Sequence, residues 1–132
     1  MDTALLAAAL GIVLFSSALL APTLFAKLGA DAAGPFLRAF WPRYYAVNGA
    51  LALLAALFAA QPYVALLAGS VAVMMGGSML ATPALNRARD SGRHRAFSVG
   101  HRALVAVNVL ALFTLAWAIH RTLAASPLHA LG

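Results

Sequence analysis

The chain has 132 residues, of which 64% are hydrophobic and 9% are charged. So few charged side chains could not cover the surface of a small soluble domain, and the composition therefore predicts an integral membrane protein. The formal net charge of +6 does not indicate a nucleic-acid-binding module, because no soluble scaffold is visible for the basic residues. The lack of cysteine in the sequence excludes disulfides, zinc thiolates and iron–sulfur clusters.

The apolar segments predict one all-α domain over residues 1–132, an integral membrane four-helix bundle with spans at about 4–25, 44–60, 63–80 and 101–119. The first segment follows the acidic Met1-Asp2 pair, whereas a cleaved leader normally begins with basic residues. We therefore expect it to be a retained helix that ends near Pro22.

The segments between the spans contain helix-breaking residues. A loop is predicted over residues 26–43, which contain Gly34-Pro35 and Trp41-Pro42. The uncharged stretch 44–85 is long enough for two spans, and Gln61-Pro62 supplies the break between them. A third loop then leads to His101, and a short polar tail over 120–132 closes the chain.

Basic residues are concentrated in the first and third loops, while the opposite side has Arg121. By the positive-inside rule, we expect these loops in the cytoplasm and both termini outside, in the inner (cytoplasmic) membrane of a cell. Anionic lipid headgroups are the expected counter-charge. The predicted lipid- or partner-binding basic loop comprises Arg87, Arg89, Arg93, Arg95 and Arg102.

The two halves of the chain, about 1–60 and 61–120, resemble one another. Residues 17–24 and 78–85 share the pattern Ser-x-Leu-x-x-Pro-x-Leu, and Asn48 falls opposite Asn108 at an offset near sixty residues. Two parallel helix–loop–helix repeats, related by an axis along the membrane normal, would give this pattern. Chance similarity between apolar sequences is the alternative.

A polar seam is predicted in the cytoplasmic half of the bundle, formed by Asn48, Ser78, His101 and Asn108. A buried amide must be hydrogen-bonded, so the asparagines either join neighbouring helices or contribute to a substrate site. His101 lies two helical turns before Asn108 on the same face. It is either an interfacial residue that bonds loop carbonyls, or a proton relay or haem ligand.

No catalytic residue is predicted, because paired carboxylates, a nucleophile elbow and a phosphate-binding loop are all missing from the sequence. The methionines of the third span suit lipid or packing contacts better than copper(I), and we predict no metal site. The adjacent Gly76 and Gly77 predict a tight helix crossing, since glycine is costly inside a helix.

Several motifs resemble the signature of the transmembrane protein 205-like family, which carries the domain of unknown function 4149. They are Ala21-Pro22-Thr-Leu-Phe25, Arg43-Tyr44-Tyr45, Pro83-x-x-Asn86-x-x-Arg89-Asp90, Phe97-x-x-x-His101-Arg102 and Asn108. The resemblance implies a four-helix membrane fold without a defined biochemical activity, and one member's link to drug resistance suggests transport or trafficking. The layout is more loosely similar to copper-resistance D-type and haem-binding protoporphyrinogen oxidase-type membrane proteins, although the first helix has no histidine.

Three functions remain open from the sequence. The leading hypothesis is a non-enzymatic membrane protein that self-associates or serves as an accessory subunit of a larger membrane complex. The first alternative is a small transporter, efflux or resistance component that uses the Asn48 and Asn108 seam. The second is a redox protein that binds quinone or haem, with His101 as the haem ligand; otherwise no cofactor is expected.

Overall fold

Glycines in the left-handed conformation interrupt the helices of this chain at two places. The computed structural model describes residues 1–125, and within them Gly29 (φ 70°) and Gly92 (φ 67°) have positive φ. This conformation is costly for residues with a Cβ and easily adopted by glycine. The elements are α1 (Asp2–Leu14), a π-helical turn (Phe15–Leu20), α2 (Ala21–Phe58), α3 (Pro62–Asp90) and α4 (His94–Ala124).

The described part of the chain is all-helical, as the sequence predicts. Three helical stretches are long and apolar enough to cross a membrane, namely Asp2–Phe58, Pro62–Asp90 and His94–Ala124. The first combines α1, the π-helical turn and α2. Their length and composition are compatible with a membrane protein.

The 57-residue stretch Asp2–Phe58 is folded back on itself. As a straight helix it would be about 85 Å long, and its ends could not meet. The non-helical backbone of Gly29 interrupts it, and α1 packs against α2. Leu6 and Ala52 accordingly share one core. We call the helix after the break the second arm of α2, over residues 30–58.

Each helix buries a narrow stripe of side chains that recur every three or four residues. Leu6, Ala9 and Val13 form the stripe of α1, and Ala111, Leu115 and Ala118 form that of α4. In α3 the stripe is continuous over Val64, Ala68, Val71, Met75 and Ser78. One-sided stripes of this spacing are typical of helices that pack in a bundle, and alanines allow the helix axes to approach closely.

The helices extend well beyond the predicted apolar segments, so the expectation of long loops is wrong. Residues 30–43 are helical, and their buried Ala33, Gly34 and Leu37 pack inside the structure. In the third predicted loop, the break between α3 and α4 is confined to residues 91–93. The chain also leaves helical geometry at 59–61, next to Gln61-Pro62. Of the predicted tail, residues 126–132 lie outside the described range.

Pro22 does not end the first helix, because the π-helical turn precedes it. Proline has no N–H to donate, and its ring clashes with the carbonyl four residues earlier in an α-helix. At the end of the π-helical turn, the N–H of Ala21 bonds to the carbonyl of Ser16, five residues back. This wider turn accommodates the proline and lets the helix continue.

The tight crossing predicted at Gly76 and Gly77 is not where the helices approach one another. Apart from the backbone of its own helix turn and its chain neighbours, a Cβ built on either glycine has no heavy atom within 4 Å. The close approaches are at Gly49, where a Cβ would lie 3.4 Å from Cβ of Met75, and at Gly100, where it would lie 2.7 Å from Cδ1 of Leu85. Glycine therefore allows α2 to approach α3, and α3 to approach α4, at these two positions.

Candidate functional site

Asn108 joins α4 to α2 through two tyrosine hydroxyls. The hydroxyl of Tyr44 donates a hydrogen bond of 2.6 Å to Oδ1 of Asn108. Nδ2 of Asn108 lies 2.9 Å from the carbonyl oxygen of Leu104 and 3.5 Å from the hydroxyl of Tyr45, and it donates to both. Both tyrosines are buried, with exposed fractions of 3% and 4%. Asn108 is thus an interhelical polar contact, whatever further role it has.

Asn48 and Ser78 are buried, and each keeps an unused polar atom. Nδ2 of Asn48 donates to the carbonyl of Tyr44 on its own helix, but Oδ1 has no hydrogen-bond partner. Oγ of Ser78 also has none. Gly49 contacts α3 one turn before Ser78, so the two residues lie at similar depth in antiparallel helices. Buried unsatisfied oxygens are uncommon, and they indicate a place where water or a ligand can bond.

His101 does not belong to the hydrogen-bonded cluster around Asn108. It is exposed, and its ring stacks on that of Phe97 with the centroids 5.8 Å apart. Phe97 also lies under the guanidinium of Arg89, whose Cζ is 5.7 Å from the ring centroid. Arg89, Phe97 and His101 therefore form one continuous surface across the ends of α3 and α4.

Aromatic side chains connect the first turns of the second arm of α2 to the hydrogen bonds around Asn108. Rings follow one another from Phe36 through Phe40 and Trp41 to Tyr44 and Tyr45, with successive centroids 5.1–6.2 Å apart. Edge-to-face and offset contacts of this kind fix ring orientation. They hold the two tyrosine hydroxyls in place beside Asn108.

A groove of about 800 Å³ lies beside this cluster, at the basic end of the bundle. Its size falls within the range of roughly 300–1,000 Å³ that is usual for ligand sites. One wall comes from residues 13–25, at the end of α1 and just after it. The others come from the second arm of α2 and from the facing ends of α3 and α4. Most of its lining is apolar, and every wall also contributes polar side chains, namely Ser17, Arg38, Tyr45, Thr82, Asn86, Arg89, His94, His101 and Asn108.

The predicted basic loop is in fact mostly helical. Arg87 and Arg89 lie in the last turns of α3, Arg95 and Arg102 lie on α4, and Arg93 alone occupies the connection. All five are exposed. Cations near the C-terminal end of a helix interact favourably with its dipole, as Arg87 and Arg89 do.

An ion pair connects the two basic segments of the chain, residues 27–43 and 87–102. The guanidinium of Arg38, in α2, makes two hydrogen bonds of 3.0 and 2.6 Å to the carboxylate of Asp90, at the polar end of α3. These hydrogen bonds lower the pKa of the Asp90 carboxyl, so the pair persists until the pH falls through that lowered value. The two basic segments therefore lie at the same end of the bundle.

The histidines that line the groove are not placed to share one metal ion. Within residues 1–125, no group of three or more His, Cys, Asp or Glu side chains could hold a metal ion. His94 and His101 both line the groove, but they lie on one helix, about 10.5 Å apart along its axis. They cannot ligate opposite faces of one haem iron, so among the described residues that line the groove His101 has no second histidine across from it.

The sequence identified part of this site. It singled out four residues, of which Asn108 and His101 line the groove, whereas Asn48 and Ser78 are buried and are not part of its lining. It did not identify Tyr44 and Tyr45 as partners of Asn108. A signal existed, since Tyr44 and Asn48 lie four residues apart on one helical face.

Comparison with known proteins does not identify a relative. No protein-family model matches the chain. No curated protein matches it either. No solved structure is similar enough to match.

Replacing Asn108 by leucine should destabilise the fold, because the hydroxyl of Tyr44 loses its acceptor in a buried position. We expect a loss of about 1 kcal/mol, as for hydrogen bonds between membrane helices, measured by reversible unfolding in mild detergent. Thr114→Val is the matched control, since the Thr114 hydroxyl bonds to its own helix at the Leu110 carbonyl. Equal losses in both variants, or an unchanged effect of Asn108→Leu in a Tyr44→Phe background, would contradict the assignment.

Proposed function

We propose that this chain is a four-span integral membrane protein that self-associates in the bilayer and catalyses no reaction. Its basic segments lie in the cytoplasm, and the inner membrane is its location. The observation that carries the membrane assignment is the distribution of side chains. Many large apolar residues face outward, while alanine is the commonest residue of the interior, which also contains leucine, valine and a few polar side chains such as Asn48 and Ser78.

The outward faces support contact with lipid along the whole bundle. Leu57, Leu66, Leu80 and Phe113 are 65–77% exposed, and they belong to three different helices. In water such a surface would drive aggregation. From Tyr63 to Asp90, α3 is about 40 Å long, enough to cross a hydrocarbon core of about 30 Å and both of its interfaces.

The charges at the two ends support the orientation. Arg38, Asp90 and the arginines near it occupy one end. At the opposite end, the guanidinium of Arg121 lies 4.7 Å from the ring centroid of Tyr63. The fold-back at Gly29 adds a crossing to the three long helical stretches and gives four spans. The larger share of positive charge then lies in the cytoplasm, as the positive-inside rule requires.

A duplicated helix–loop–helix accounts for both breaks near the basic end. Gly29 and Gly92 have almost the same φ, and each follows a helix that contains Pro22 or Pro83. Their spacing is close to the offset between Asn48 and Asn108. These correspondences support two parallel repeats, and they agree with the four-helix fold implied by the resemblance to the transmembrane protein 205-like family, which stays a prediction.

The outward face of α3 supports self-association. Leu66, Val73 and Leu80 recur every seven residues and are 75%, 75% and 77% exposed. Gly69 and Gly76 alternate with them on that face, and a Cβ added to either would meet nothing within 4 Å. Seven-residue spacing is the repeat of packed helices, and small residues permit close approach in lipid. We call Leu66, Gly69, Val73, Gly76 and Leu80 the α3 stripe, and a second copy of the chain is its proposed partner.

Transport is the second candidate, and the polar groups of the interior support it. The unpartnered oxygens of Asn48 and Ser78 and the amide of Asn108 could bond a polar solute in the interior. In proteoliposomes, a solute carried by the parent chain should pass at least tenfold more slowly with Asn108→Leu, and Thr114→Val should leave its flux unchanged. No difference between the variants would remove this role for the asparagine.

The four-span topology can be tested with single cysteines, because the chain has none of its own. Gln61→Cys should react with a membrane-impermeant maleimide added outside sealed cells. Asp31→Cys and Ser91→Cys should react only after the membrane is opened, since both lie beside breaks at the cytoplasmic end. Labelling of Asp31→Cys from outside would show that the chain does not fold back at Gly29 within the membrane.

Self-association through the α3 stripe predicts selective crosslinking. Val73→Cys should form a disulfide-linked dimer on mild oxidation in membranes, whereas Phe113→Cys, on the outward face of α4, should not. Adding Gly76→Leu to Val73→Cys should reduce the dimer at least fivefold, and adding Gly11→Leu, at another open glycine, should not. Equal crosslinking from the two cysteine positions would contradict the proposed interface.

A further inference from the structure

The groove at the basic end has two chemically different parts. One part is apolar and is lined by Val13, Pro22, Leu104, Val105 and Leu112. The other part is its mouth, where Arg89, His94 and His101 lie around Phe97. An apolar channel with a cationic end complements a molecule that has a hydrocarbon chain and a negatively charged head.

The apolar part is open toward the side of the bundle. α1 packs closely against α4, and this packing is not continued by the π-helical turn that follows α1. At that level the groove lies between the residues that follow the π-helical turn and α4. Phe25, Val105 and Val109 line it and are 45%, 48% and 50% exposed. In a membrane, a hydrocarbon chain could enter between these side chains directly from the surrounding leaflet.

Arg89 is the cation at the mouth that is available to an anion. Arg38 also lines the groove, but Asp90 already binds its guanidinium through two hydrogen bonds. Among residues 1–125, Arg89 makes no ion pair within 4 Å, and its guanidinium lies over Phe97 and close to Gly34. Gly34 and Arg89 are neighbours, since a Cβ at position 34 would lie in ordinary van der Waals contact, 3.7 Å from Nη2 of Arg89.

We propose that this groove binds one anionic phospholipid of the cytoplasmic leaflet, with its phosphate at Arg89 and an acyl chain along Leu104, Val105 and Leu112. The proposal rests on the proposed membrane location. His101, stacked on Phe97, lines the mouth and contributes a hydrogen-bond donor to the phosphate. Arg89 thereby becomes distinct from the other exposed arginines, which meet lipid headgroups at the surface.

A lipid suits the groove better than an acidic peptide does. A peptide would carry polar backbone groups into the apolar part, where few partners could bond them. An acyl chain has no such groups, and the lateral opening gives it access without crossing the charged mouth. The phosphate would lie at the level of the basic segments, where headgroups are expected.

Trp41 lines the groove and provides a local reporter. Trp117, the other tryptophan, lies near Arg121 at the opposite end, so Trp117→Phe leaves Trp41 as the sole emitter. In the full-length Trp117→Phe chain, reconstituted in vesicles, we would compare quenching by brominated phosphatidylglycerol and brominated phosphatidylcholine. The anionic lipid should bind about fivefold more strongly, the effect expected for one basic residue near the membrane surface.

Arg89→Gln should remove this preference, Arg89→Lys should retain most of it, and Arg95→Gln should retain all of it. Arg95 is the matched control because it is exposed on α4 in the same basic segment but does not line the groove. Val105→Phe should weaken quenching by filling the apolar part, while Val99→Phe, outside the groove, should not.

Equal quenching by both lipids in the parent chain, or equal loss of preference in Arg89→Gln and Arg95→Gln, would overturn the lipid site while leaving the membrane assignment intact. The basic segment would then be a general electrostatic surface or the contact for an acidic partner. No quenching of Trp41 by either lipid would overturn both the site and the proposed membrane location, so the two failures are distinguishable.

Discussion

The hydrogen bond from the Tyr44 hydroxyl to Asn108 marks the level at which the packing of this bundle changes. On one side of it, the helices are held together by a narrow stripe of alanine, leucine and valine. The groove lies mainly on the other side, toward the basic end, and it also reaches Val13 and Leu112. A close-packed core leaves no space of this size. Where the apolar packing ends, the hydrogen bond from Tyr44 to Asn108 therefore holds α2 and α4 in place.

The alanine-rich interior and the large apolar side chains on the outside both follow from the apolar character of a bilayer. Lipid tails are as apolar as leucine, so burying leucine between helices gains little in a bilayer. Close approach and a few hydrogen bonds must therefore hold the helices together. Gly49 and Gly100 permit that approach within the chain, while the open glycines of the α3 stripe leave space that only another molecule can fill.

Composition and hydropathy were sufficient to predict an all-helical chain with helices long and apolar enough to cross a membrane. They could not predict the helical extensions over 30–43 and 81–90, because Gly34-Pro35 and the arginines resemble loop sequence until Ala33 and Leu37 are seen to be buried. Nor could sequence separate Gly76, which is open, from Gly100, which is crowded by Leu85. Such differences depend on which helix lies opposite, and that is a property of the assembled fold.

The same limit applies to the site. The sequence grouped five arginines together, and the structure divides them by their surroundings, with Arg89 on the groove and Arg95 on the outer surface. Arg38, which sequence reasoning counted only for its charge, is the one bound to Asp90. Charge pairing across 52 residues cannot be read from a single sequence, because three or more arginines are equally plausible partners of that carboxylate.

The π-helical turn has a consequence for the register of the first helical stretch. Relative to an α-helix, it accommodates one additional residue, and one residue corresponds to a rotation of about 100° around the helix axis. The buried face before the turn is formed by Leu6, Ala9, Val13 and Ser16. Beyond the turn, the helix is rotated relative to this face, and Pro22 and Phe25 line the groove. A single inserted residue thus allows the segment before the turn to pack against other helices while the segment after it faces the groove.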